Sequence, residues 1–82
     1  MRTLNTQRKF KGSLVQVAYT RGGSHDEVIT ARTTHGDGRD ELMYLLGFKH
    51  TATRGPCAYY QREFCTSVQA KLFVAGQRQW RV

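Results

Sequence analysis

The stretch that most restricts the fold is residues 37–48. Asp37 stands at a helix N-cap position, and Asp40 and Glu41 follow in what would be the first turn. There the positive end of the helix dipole favours negative charge. Leu42, Leu45 and Leu46 recur at i, i+3 and i+4, with Met43 and Tyr44 beside them. This spacing predicts an apolar stripe on a helix of about ten residues. Gly47 supplies a residue able to adopt the left-handed conformation at C′, and Phe48 at C″ is placed to pack back on the last turn. So short a helix does not persist alone in water. It needs a surface, and the flanking sequence is β-prone on both sides.

On the N-terminal side, Val15, Val17 and Tyr19 alternate with Leu14, Gln16 and Ala18. The β-branched and aromatic set reads as the buried face of a strand beginning near Phe10. Arg21-Gly22-Gly23-Ser24-His25-Asp26 is rich in turn residues, and Glu27 to Thr34 is a second β-prone run. The two runs predict a hairpin. His35-Gly36-Asp37-Gly38 then breaks the strand. Past the helix, Thr51 to Pro56 reads as a loop, and the next strand starts after Pro56, which has no N–H for a ladder. In Cys57 to Phe64, alternation puts Ala58, Tyr60 and Phe64 on one face with Arg62 between them, and Cys57 and Tyr59 on the other.

Thr66-Ser67-Val68-Gln69 has the form of a capping box, with Val68, Leu72 and Ala75 following at i, i+4 and i+7, Phe73 adjacent, and Gly76 as the stop. Gln77 to Val82 alternates as a short last strand, with Trp80 and Val82 on one face and Arg81 on the other. Composition alone also allows residues 57–75 to form one long helix; Thr66-Ser67 argues for strand then helix. The expected fold is α+β: a small, mostly antiparallel sheet with two helices on one face, in the order β-β-α-β-α-β. Residues 1–9 read as a basic arm, flexible or docked at a sheet edge, ahead of a single domain over 10–82.

The 82 residues hold one small domain, which excludes a two-domain enzyme with its own cofactor-binding domain. Seventeen are Leu, Val, Ile or Phe, so the core is thin. Apolar runs reach four or five residues, far below a membrane span, and the first residues lack an apolar h-region. The expectation is a cytoplasmic protein with no membrane partner. Thirteen Lys and Arg face six acids, for a formal +7. Residues 12–70 are balanced; the excess lies in Arg2, Arg8, Lys9 and Lys11 at one end and in Lys71, Arg78 and Arg81 at the other. If the ends meet, they form one basic patch suited to phosphate backbones or to an acidic protein surface. His50, Cys57 and Cys65 lack zinc-ligand spacing, so no metal or other cofactor is expected. Without an export signal, both thiols are expected to be reduced.

Arginine grips phosphate bidentately and stacks on bases, and aromatic rings on a sheet stack unpaired bases. The candidate binding residues are Arg8, Lys9 and Lys11 from the arm, Tyr59 and Arg62 from the third predicted strand, and Arg78, Trp80 and Arg81 near the end. Trp80 also fits a place in the core of so small a domain. There is no helix-turn-helix, zinc-finger or GXXG signature, and no aromatic RNP pattern, so backbone contact without sequence readout is expected. The acids Asp26, Glu27, Asp37, Asp40 and Glu41 gather in the hairpin and first helix and suggest an opposite pole.

Catalytic signatures are absent. Gly36 and Gly38 lack the flanks of a phosphate-binding loop, Ser24, His25 and Asp26 are neighbours in a turn, and Asp40 and Glu41 do not face each other on a helix. One motif points elsewhere. Arg21-Gly22-Gly23-Ser24-His25, followed by His35-Gly36 and the Leu42 to Gly47 helix, resembles the HicA family of mRNA-cleaving toxins. The resemblance implies His25 as a general acid or base.

From small size, basic ends and the lack of a catalytic constellation, the expectation is a non-enzymatic binding protein. It is of the kind phages and mobile elements use to inhibit or modulate a host nucleic-acid-handling complex, as anti-CRISPR proteins and antagonists of transcription or defence do, and it would act through a basic, arginine-rich surface. The alternative is a module that binds DNA or RNA directly and non-specifically. An exposed sheet edge leaves both a monomer and a homodimer open.

Overall fold

The computed structural model describes residues 2–21, 26–34 and 38–77. Five strands form one antiparallel sheet: β1 (Arg2–Phe10), β2 (Ser13–Arg21), β3 (Val28–Thr33), β4 (Lys49–Arg54) and β5 (Cys57–Glu63). Helix α1 (Arg39–Leu45) joins β3 to β4, and α2 (Ser67–Gln77) follows β5. The spatial strand order is β1-β2-β3-β5-β4. The α+β class and the β2–β3 hairpin pairing agree with the expectation; the element order does not.

Two strands escaped the sequence reading. Residues 2–10 take the edge-docked form of the expected arm, but as a full strand, paired with β2 from Arg2 opposite Arg21 to Phe10 opposite Ser13. Lys11 and Gly12 make the connection, both at positive φ (51° and 81°), as a two-residue primed hairpin turn requires. Lys is an unusual occupant of that position, which hid the turn. Residues 49–54, overlapping the loop expected over Thr51 to Pro56, form β4 at the other edge and bulge between His50 and Ala52. Most of β4 is solvent-exposed, so it carries no apolar alternation to mark it. Gln77 belongs to α2 and not to the last strand expected over 77–82, whose other residues lie outside the described residues.

The α1 stop signal folds as expected. Gly47 (φ 84°) donates to the Tyr44 carbonyl and Phe48 N–H to that of Met43, the paired bonds of a Schellman motif. At the other end the N-cap is Gly38 in the left-handed region; Asp37 lies outside the described residues. Helix α2 starts at the predicted Thr66, whose hydroxyl accepts from Gln69 N–H, while the Gln69 side chain reaches back to Cys65 N–H. Its inward face differs from the predicted stripe. Ala70 and Gln77 are buried, with Phe73 and Val74 packed on the core, whereas Val68 and Leu72 are 61% and 67% exposed. The helix also runs through Gly76 to Gln77.

The core is one layer between the sheet and both helices. It gathers Val15, Val17 and Tyr19 from β2, Ile29 and Ala31 from β3, Ala58 and Tyr60 from β5, Leu42 and Met43 from α1, and Ala70 from α2. Under α2 the rings of Tyr19, Phe48 and Phe73 meet at centroid separations of 5.6–6.0 Å, and Phe64 joins at 5.4 Å from Phe73. The tilted and edge-on geometries are those that aromatic quadrupoles favour. The Tyr19 hydroxyl donates to Gln77 Oε1 at 3.4 Å, which satisfies a buried amide at the end of α2.

Candidate functional site

Strand pairing sorts every sheet residue onto one of two faces, because directly opposed residues share a side. The helix-covered face carries the core. The opposite face has no helix on it among the described residues. Three rows cross it. Asn5, Ala18, Arg32, Tyr59 and Ala52 form the middle row. Thr3, Thr20, Thr30, Gln61 and Lys49 lie to one side. Gln7 opposite Gln16, and Cys57 opposite Arg54, lie to the other. Lys9 opposite Leu14 extends the surface along the β1–β2 hairpin.

This uncovered face therefore holds four cations, Lys9, Arg32, Lys49 and Arg54, and the acid Glu63 opposite Val28. None of these five side chains makes an ion pair or hydrogen bond among the described residues. Arg32 stands directly opposite the half-buried ring of Tyr59. Over strands β1 to β3 lies a shallow depression of about 370 Å³, lined by Asn5, Gln7, Gln16, Ala18, Arg32 and Thr34 among others.

The predicted binding residues divide. Lys9 and Tyr59 lie on the uncovered face. Arg8 points to the other side, opposite Val15 and close enough to Tyr19 for its charge to favour the phenolate. Lys11 is exposed but pairs with Glu41 of α1. Arg62 is on the helix side: its guanidinium lies 4.4 Å from the Phe64 ring centroid and 5.3 Å from that of Phe73, and donates to the Leu46 carbonyl at 2.7 Å. Arg78, Trp80 and Arg81 lie outside the described residues, as do His25 and His35. Lys71 and Arg21 line a second depression with Thr3 and Leu4, so one cation of the C-terminal group does approach the start of β1.

The acids do not all form a free pole. Glu41 neutralises Lys11, and the Asp40 carboxylate accepts the Tyr60 hydroxyl. The Tyr60 phenol is pushed up to about 12, first by burial and then by the Asp40 hydrogen bond and charge, against smaller opposing effects of Thr33 and Arg39. Burial likewise raises Tyr19 to about 12, while the Arg8 charge and the nearby Thr6 side chain pull the other way. Both phenols keep their protons through the neutral range and serve packing. Cys57 is half-buried and Cys65 exposed, both as free thiols.

Sequence reasoning missed Arg32, Lys49 and Arg54, because residues 12–70 are neutral in sum and drew no attention. The available signal was phase. Once Tyr19 is assigned inward, antiparallel pairing places Ala18 and Arg32 together on the opposite side. No protein-family model, curated protein or solved structure matches the chain. No helix of the described residues is long and apolar enough to cross a membrane.

Proposed function

We propose that this chain is a non-catalytic binding protein that holds single-stranded nucleic acid across its uncovered sheet face. The observation that carries the reading is the composition of that face: Arg32, Lys49 and Arg54 stand on the two strands that flank Tyr59, with Lys9 farther off on the β1–β2 hairpin, against the single acid Glu63. Cations spread over a flat surface attract a phosphate backbone, and a ring beside a guanidinium stacks an unpaired base. A sheet five strands wide, roughly 20 Å across at about 4.8 Å per strand, offers a stacking platform and presents no helix to a duplex groove.

An antagonist of a host nucleic-acid-handling complex, of the phage or mobile-element kind, would use the same cations against an acidic protein patch. Tyr59 favours the direct reading, since an aromatic ring flanked by Arg32 suits a base better than a carboxylate.

The test is a titration of the protein, stripped of co-purified nucleic acid, into labelled single- and double-stranded RNA and DNA at two salt concentrations. Submicromolar binding to single strands, weakening steeply with salt, is expected. Absence of binding at low salt overturns direct recognition and leaves the antagonist reading, to be pursued by capture of a nucleoprotein complex.

A further inference from the structure

The middle row of the uncovered face changes size abruptly at β2. Asn5 and Arg32 flank Ala18 on the neighbouring strands, and Gln16 precedes it on the same face. A methyl between longer side chains leaves a hollow, and the depression of about 370 Å³ lies there. Its volume falls at the small end of ligand clefts, roughly 300–1,000 Å³, and suits one flat heterocycle better than a length of polymer.

The chemistry of the rim is specific. Asn5, Gln7 and Gln16 contribute three exposed amides, each with donors and an acceptor in one plane. None of them makes a side-chain hydrogen bond among the described residues. Arg32 adds a planar guanidinium that is likewise uncommitted, and Ala18 supplies an apolar floor. An amide meets adenine bidentately, taking its amino group as donor and its N7 as acceptor, whereas guanine prefers arginine. Amides outnumber the guanidinium around this hollow. On the far side of Arg32 stands Tyr59, placed to stack the neighbouring base.

We propose that the hollow over Ala18 is a one-base subsite that selects adenine within a single strand, its face on the Ala18 methyl and its edge on the amides, with Arg32 at the adjoining phosphate. This inference rests on the binding reading above and goes beyond it, since the sequence predicted contact without base readout.

The test measures fluorescence anisotropy of the full chain with short oligo-A and oligo-U RNAs at one fixed salt concentration. The wild-type protein is expected to bind oligo-A about tenfold more tightly, the discrimination of one bidentate amide contact. Ala18→Leu fills the hollow and is expected to bring oligo-A and oligo-U affinities to the same level. If Ala18→Leu fails to fold by circular dichroism, the double variant Gln7→Ala/Gln16→Ala removes exposed amides and is expected to reduce the preference at least threefold. Equal binding of the two RNAs by the wild-type protein, or an intact preference in the variants, overturns the subsite and leaves the binding reading standing. Failure of the wild-type protein to bind either RNA overturns both.

Discussion

The Arg62 guanidinium donates to the Leu46 carbonyl at 2.7 Å while lying over the Phe64 ring, so one side chain ties β5 to the end of α1. A charge-assisted bond to a carbonyl and a cation–π contact are together worth about 2–3 kcal/mol. Arg62→Ala is expected to lower stability by about that amount in urea titration, and Arg62→Lys to recover little, because an ammonium does not reproduce the planar stack. Nucleic-acid affinity per folded molecule should not change. A loss of affinity at full stability would place Arg62 in the interface instead.

The residue beside this contact is constrained in the same way. Gly47 sits at φ 84°, and a Cβ there would stand 3.1 Å from Arg62 Nε. Gly47→Ala is expected to cost about 1–2 kcal/mol through left-handed strain and displacement of Arg62. A variant as stable as the wild-type protein would show that the α1 stop tolerates another conformation.

The cations of the other face should behave in the opposite sense. Arg32→Gln, Lys49→Gln and Arg54→Gln remove charges that make no ion pair or hydrogen bond among the described residues, so each is expected to alter stability by less than about 0.5 kcal/mol. Combined, they should reduce the slope of log affinity against log salt by about 2, near 0.7 per lost phosphate contact on a single strand. An unchanged slope moves the interface elsewhere.

Alkali should weaken the fold in a defined window. The phenols of Tyr19 and Tyr60 are raised from 10.0 to about 12, so the native state holds these protons more tightly than the unfolded chain. Their stabilising effect is complete below pH 10 and is lost as pH rises through about 12. Melting temperature recorded from pH 8 upward should fall across that range, and more shallowly in Tyr60→Phe. At neutral pH the same variant loses about 1 kcal/mol with the Asp40 hydrogen bond.

The phase of α2 separates two readings of its apolar residues. Leu72→Gln, at a position 67% exposed, is expected to be neutral within about 0.5 kcal/mol, whereas Phe73→Ala should cost about 3 kcal/mol or more. The reverse ranking would restore the stripe that the spacing of Val68, Leu72 and Ala75 suggests.

What could be read in the sequence was whatever a local rule determines. Gly47 and Phe48 signal a helix stop through backbone chemistry alone, Thr66 and Gln69 signal a start, and the alternation of Val15, Val17 and Tyr19 marks a half-buried strand. Both edge strands were opaque because an edge needs no apolar period: in β1 the inward positions of Thr6 and Arg8 are polar, and β4 is largely exposed. The candidate interface was harder still. Arg32, Tyr59 and Ala18 are remote in sequence and become neighbours only through the β2–β3 and β3–β5 registers. Arg62, three residues after Tyr59, falls on the opposite side by the same parity.

The strand order also bears on how the chain reaches this state. Pairings β1–β2, β2–β3 and β4–β5 join strands consecutive in sequence, whereas β3–β5 brings Val28 opposite Glu63 across the whole of α1 and β4. The molecule is thus two locally assembled pieces zipped along one seam, and closing the intervening loop is the slow entropic step. Conservative substitutions at Ala31 and Ala58, which flank that seam, should show higher φ-values than any in β1; uniformly low values there would mean that the seam forms after the barrier.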